Sequence, residues 1–129
     1  MMRPAPFIKK KVCVIDDDDN IREIYQVSLK GADFEVVTAA DGEQGLVVIK
    51  NERPDIILLD LQMPIMDGFE VLKKLDKDPE LSRIPVVILS NVDDEMAFKK
   101  AGKFDTRFYM IKALTSPQKV IETISEVLN

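Results

Sequence analysis

Four places in this 129-residue chain hold side chains whose types could do chemistry together: Asp16-Asp17, Asp60, Ser90 and Lys112. Each stands at the end of an apolar run or directly after one. Brought together, they would make a pocket of three carboxylates, a hydroxyl and an amine. Carboxylates within a few Å of one another repel, and burial adds to the cost of keeping them charged. A hard divalent cation removes that cost. Mg²⁺ takes carboxylate, carbonyl and water oxygens and keeps positions open for phosphate. A hydroxyl donor and a positive charge are what a phosphoryl group needs next. An aspartate beside Mg²⁺ can take that group as an acyl phosphate. The chain has no histidine, which excludes Ser-His-Asp chemistry, His-ligated zinc and a self-contained phosphohistidine relay.

Whether these groups meet depends on the elements between them. Lys11 to Ile15 is a short apolar run bounded by charge and predicts strand one. Asn20 to Lys30 carries Ile21, Ile24, Tyr25 and Ser28 at helical spacing, with Gly31 as a stop. Phe34 to Ala39 predicts strand two, Asp41-Gly42 a turn, and Glu43 to Asn51 a helix with Leu46 and Ile49 inward. After Pro54-Asp55, the run Ile56 to Asp60 predicts strand three. A helix over Gly68 to Asp76, strand four over Pro85 to Ser90, and a weaker helix over Asp93 to Ala101 follow. Strand five is predicted over Phe108 to Ile111. Ser116-Pro117 is an N-cap with proline at the first helical position, and Val120, Ile121, Ile124, Val127 and Leu128 line one face of the last helix. Strands apolar at every position are buried on both faces, which means a parallel sheet covered by helices. With right-handed crossovers, the pattern predicts a doubly wound α/β sandwich. Function in such sheets sits outside the carboxyl ends of the strands, where the chemical residues of this chain lie.

Composition bounds the remaining possibilities. The length fits one domain, read as 9–129 after a short N-terminal arm of residues 1–8. A hydrophobic fraction of 46% supports a core without disulfide or metal staples and excludes disorder. No apolar run approaches the roughly 18 residues of a membrane span. Lys9-Lys10-Lys11 splits the apolar segments at the start, so no secretory signal is expected. Lone Cys13 reads as a buried thiol in a reducing, cytoplasmic compartment. A net charge of −5 argues against non-specific nucleic-acid binding.

Ile15-Asp16-Asp17, Leu59 through Gly68 (LDLQMPIMDG), Ile88-Leu89-Ser90 and Tyr109-Met110-Ile111-Lys112 together resemble the receiver domain of two-component response regulators, the CheY-like superfamily. The resemblance spans about Lys11 to Leu128. It implies the flavodoxin-like (βα)5 fold with strand order 2-1-3-4-5. It implies Asp60 as phosphoacceptor from the phosphohistidine of a partner sensor kinase or phosphotransfer protein. It also implies Mg²⁺ on Asp17, Asp60 and the backbone carbonyl of Gln62, with Asp16 acting mostly through a metal-bound water. Lys112 would pair with the phosphate, Ser90 would hydrogen-bond it, and Tyr109 would turn inward as the switch aromatic. The face of helix four, strand five and helix five would then change its affinity for a downstream protein. A monomer is expected, with phosphorylation-dependent dimerisation through that face as an option.

Asp19 stands where proline is frequent in the family, with little expected effect, and two further positions depart from the pattern at the site. Ala113 follows Lys112 where the family has proline with a cis peptide, so the bond is either trans, with Lys112 placed differently, or cis under strain. Asn91 follows Ser90 where a small residue is common, and its bulk could narrow access to the site. These departures motivate an alternative: a receiver-like binding scaffold that no longer uses phosphorylation. A phosphatase of the haloacid dehalogenase kind would want an aspartate where Gln62 stands, and a flavin site would want a glycine- or hydroxyl-rich loop where the aspartates stand. Lys99, Lys100, Lys103 and Arg107 form a basic stretch that reads first as solvated surface. The sequence ends at the fifth helix, so a single-domain receiver without an attached output domain is expected.

Overall fold

A computed structural model describes residues 8–129, in which apolar runs and helical segments alternate five times. In chain order these are β1 (Lys11–Ile15), α1 (Asp19–Gly31), β2 (Glu35–Ala39), α2 (Gly42–Glu52), β3 (Ile56–Leu59) and α3 (Gly68–Asp76). Then come β4 (Val86–Ser90), α4 (Glu95–Ala101), β5 (Thr106–Ile111) and α5 (Pro117–Leu128), with 3-10 turns at Leu81–Arg83 and Lys112–Leu114. All pairings are parallel and the order is β2-β1-β3-β4-β5. This is the predicted topology.

The central strands divide their side chains between two layers. Cys13, Ile15, Ile57, Leu59, Val86 and Ile88 pack with Leu46 and Ile49 of α2 and with Val71, Leu72 and Leu75 of α3. Val12, Val14, Ile56, Leu58, Val87 and Leu89 pack on the opposite face with Tyr25 and Leu29 of α1 and Val120 and Ile124 of α5. The side-chain period of two explains why no polar residue interrupts these strands: both faces are interior. Every α-helix begins on a side-chain N-cap: Asp18, Asp41, Asp67, Asp94 and Ser116. Each cap oxygen accepts an otherwise unpaired N–H of the first turn.

Several bounds differ from the sequence reading. Strand three ends at Leu59, which leaves Asp60 just beyond the ladder. β5 starts at Thr106 because an edge strand needs no continuous apolar run: Arg107 and Phe108 are exposed. Leu29, not Ile24, completes the buried face of α1, and Ile24 is 43% exposed. α4 is shorter than predicted because Asp94 caps it, and Met96 points outward while Ala97 is buried. Of the expected arm, residues 1–7 lie outside the described residues, and Ile8 is exposed. No described helix is long and apolar enough to cross a membrane.

Candidate functional site

The carboxyl edge of the sheet gathers the predicted residues. The backbone N–H of Asp60 donates to the Ile15 carbonyl at 2.9 Å, and that of Asp16 donates to the Ala39 carbonyl at 3.1 Å. These bonds extend the ladder by one residue and fix both aspartates side by side. Asp16 and Asp60 are 3% and 4% exposed, whereas Asp17 faces solvent. One carboxylate oxygen from each of Asp16, Asp17 and Asp60 lies within 4.8 Å of the other two. The four consecutive aspartates therefore divide their roles. Asp16 is buried in the pocket, Asp17 lies at its rim, Asp18 caps α1, and exposed Asp19 pairs with Arg22.

Lys112 closes the pocket from the end of β5. Its Nζ lies 2.7 Å from Asp16 Oδ2 and 3.4 Å from Asp60 Oδ2. Burial alone would lower the Lys112 pKa, but hydrogen bonds and charge from Asp16 and Asp60 outweigh it and hold the ammonium above its ordinary value. Asp60 is pushed up from an ordinary 3.8 to about 6. Burial is the main cause and the charge of Asp16 the second, against the opposing pull of Lys112 and the Gln62 N–H. One amine does not neutralise this much buried negative charge. The donor set is all oxygen and the pocket is acidic, so it fits a hard divalent cation.

The loop after Asp60 is shaped by two glycines. A Cβ on Gly68 would sit 2.3 Å from the Asp60 carbonyl oxygen, and one on Gly42 would sit 2.4 Å from that of Met66. Gln62 donates its N–H to Asp60 Oδ1 at 3.4 Å while its side chain is exposed. Ser90 ends β4 fully buried, and its Oγ accepts the Val92 N–H at 3.2 Å. Tyr109 is half-buried. Its hydroxyl donates to the Val92 carbonyl at 2.5 Å and its ring tilts against Phe98 at 5.5 Å. Burial raises the Tyr109 pKa, reinforced by the charges of Asp94, Asp93 and Asp60.

The two departures take definite positions. No described peptide bond is cis, so the Lys112–Ala113 bond is trans, yet Lys112 still reaches both aspartates. Asn91 is exposed and its Oδ1 accepts the Ala113 N–H at 3.2 Å. Sequence reasoning did not join these residues, because nothing local signals a contact 22 positions apart. It also missed Arg22, whose guanidinium donates to the Asp16 carbonyl at 2.7 Å. Three of the four residues of the basic stretch stay together, at the surface of one groove. Lys99 pairs with Glu95, Lys100 lies over the Phe69 ring, and neighbouring Phe104 packs on the core. With Lys103, these lysines line one wall of a groove of about 880 Å³ between α3 and α4.

A parallel sheet of order 2-1-3-4-5, with an acidic pocket at its carboxyl edge, defines the CheY-like class of flavodoxin folds. The sequence model of the response regulator receiver domain matches residues 12–125, and the chain belongs to that family of two-component signalling domains. The probable transcriptional regulator ycf27 of Porphyridium aerugineum is 37% identical over 120 residues, 93% of this chain and 48% of that protein. The alkaline phosphatase synthesis transcriptional regulatory protein PhoP of Bacillus subtilis is 32% identical over 121 residues, 94% of this chain and 49% of that protein. The chain thus spans about half the length of the curated relatives it matches. Among solved structures, chemotaxis protein CheY4 of Vibrio cholerae superposes with a TM-score of 0.86 at 28% identity, covering 94% of this chain and 100% of that one. The BeF3-activated N-terminal receiver domain of Klebsiella pneumoniae RstA gives 0.84 at 25% identity, covering 93% and 99%.

Proposed function

We propose that this receiver domain is a phosphoacceptor, with Asp60 taking a phosphoryl group from the phosphohistidine of a partner kinase or phosphotransfer protein. The observation that carries this reading is the pairing of buried Asp60 and Asp16 with Lys112 at 3.4 and 2.7 Å, on the edge where Asp17 completes the acidic cluster. A donor histidine on a partner fits this sequence, which contains no histidine.

In the transfer, an Asp60 carboxylate oxygen attacks phosphorus. The P–N bond of the donor breaks and the imidazole nitrogen keeps the electron pair. Lys112 offsets the charge gathered on the phosphoryl oxygens, and the packed pocket holds Asp60 in line for attack. Asp17, Asp60 and the Gln62 carbonyl would hold Mg²⁺, with Asp16 beside them, and the ion would supply the remaining positive charge. Ser90 uses an acceptor lone pair for the Val92 N–H, so its own proton is free to serve a phosphoryl oxygen.

The switch is a shift in population: added phosphate charge favours the state in which Ser90 and Lys112 satisfy it best. Val92 links that event to Tyr109, because the residue bonded to Ser90 through its N–H is bonded to Tyr109 through its carbonyl. The face of α4, β5 and α5 carries exposed Phe98 and Phe108, which suits it to a downstream protein or to a second phosphorylated copy. Free, buried Cys13 fits a reducing, cytoplasmic setting.

Backbone NMR with and without beryllofluoride and Mg²⁺ tests this reading. Shifts spreading from Asp60 through Ser90 and Val92 to Tyr109 are expected. Shifts absent at saturating beryllofluoride would favour a scaffold that does not use phosphorylation.

A further inference from the structure

The turn that presents Lys112 is weakly anchored by its own residues. Lys112–Leu114 is a single 3-10 turn with no side-chain cap and no buried residue, and Leu114 is 80% exposed. Its Thr115 N–H to Lys112 carbonyl contact is long, at 3.4 Å. A turn of this kind leaves its first N–H groups without partners inside the turn. The Ala113 N–H finds its partner outside, in Asn91 Oδ1. Asn91 follows Ser90, and Ala113 follows Lys112. One hydrogen bond therefore ties the side chain next to the buried Ser90 hydroxyl to the backbone next to the Lys112 amine.

The chemistry of both residues is needed for this tie. Proline at 113 would have no N–H to donate. A small apolar side chain at 91 would have no oxygen to accept. Asn91 supplies an acceptor on a short side chain that the residue's place in the loop fixes close to the turn.

We infer that Asn91 is a positioning residue for Lys112, acting through the backbone of Ala113. The bond holds the turn so that the Lys112 ammonium lies over Asp16 and Asp60, where an incoming phosphoryl group is to be received. This role deepens the phosphoacceptor reading and rests on it for its consequence, but the bond itself can be tested without it. The Asn91 side chain spends its oxygen on the Ala113 N–H and not on the acceptor carboxylate. The expected effect of its loss is in the rate of transfer and in the order of Lys112.

The test compares the wild type with Asn91→Ala and Asn91→Asp, the latter keeping an acceptor oxygen at the same reach. Each protein is followed by NMR without phosphodonor, for Ala113 amide exchange and the Lys112 side-chain ammonium signal. Each is then labelled with acetyl phosphate and Mg²⁺. Asn91→Ala is expected to speed Ala113 exchange and slow labelling by roughly three- to tenfold, the factor one such hydrogen bond carries. It is also expected to weaken the Lys112 ammonium signal, and Asn91→Asp is expected to restore protection at Ala113. An Asn91→Ala protein with wild-type Ala113 exchange and an unchanged Lys112 signal would overturn the inference, as would wild-type labelling with the bond gone. If the wild type itself takes no label, the phosphoacceptor reading fails, and the two NMR signals still decide whether Asn91 places Lys112.

Discussion

Asp60→Asn in the metal-free protein should stabilise the fold at neutral pH, although it removes the residue at the centre of the site. The folded protein raises the Asp60 pKa from 3.8 to about 6, through burial first and the charge of Asp16 second. A difference of about two units corresponds to roughly 3 kcal/mol. A carboxyl whose pKa is raised on folding binds its proton more tightly in the folded state. Its favourable contribution is complete below the unfolded value of 3.8 and is lost as pH rises through about 6. At pH 7.5 the wild type therefore carries the full penalty of an ionised Asp60, and the neutral amide does not. The variant should be about 3 kcal/mol more stable there, and the gap should close toward zero as pH falls to about 3.5. Urea unfolding in EDTA, followed by circular dichroism across this range, measures it. With a slope of about 1–3 kcal/mol per molar urea, the midpoint at pH 7.5 should rise by about 1–3 M. Saturating Mg²⁺ should narrow the gap by binding the folded wild type. A variant no more stable at pH 7.5, or a gap that does not shrink on acidification, would refute the electrostatic account of the pocket.

Three further outcomes are expected. Gly68→Ala would drive a methyl to 2.3 Å from the Asp60 carbonyl oxygen and 2.8 Å from Leu61 Cα, so it should cost at least about 2 kcal/mol in chemical unfolding and lower Mg²⁺ affinity in titration. Unchanged stability would mean that the loop relaxes freely. Ile65 has φ 69 and is 77% exposed, so Ile65→Gly should relieve a left-handed backbone and raise stability by about 1 kcal/mol, read from the unfolding midpoint. Burial, aided by the charge of Glu52, pushes the Cys13 thiol up from 9.0 to about 12. Its neutral form is thus favoured on folding, and stability should fall as pH rises from about 9 toward 12. Cys13→Ala should flatten part of that decline in alkaline unfolding curves.

The parts of this molecule legible in the sequence were those written in continuous patterns. Ile56 to Leu59 could be read as a central strand because every side chain there is interior, and Asp60 could then be placed at its end. The same logic put Asp16, Ser90 and Lys112 on one edge, since parallel strands bring their carboxyl ends together. Where a residue's role depends on a partner distant in sequence, the reading stopped short. Ala113 and Asn91 were two separate irregularities in the sequence and are one hydrogen bond in the fold. Thr106 and Arg107 escaped the prediction of strand five because an edge strand may face water. Asp41, Asp67 and Asp94 prove to be N-caps like Ser116, each accepting a first-turn N–H, a role their residue type also allows in a turn or a loop.

The central claim is that Asp60 accepts a phosphoryl group. Intact-mass measurement after incubation with acetyl phosphate and Mg²⁺ tests it most directly, with Asp60→Asn alongside. The account predicts a gain of one phosphoryl group in the wild type, lost on alkaline hydroxylamine treatment, and none in the variant. An unlabelled wild type that still binds Mg²⁺, or a variant labelled as fully as the wild type, would contradict it.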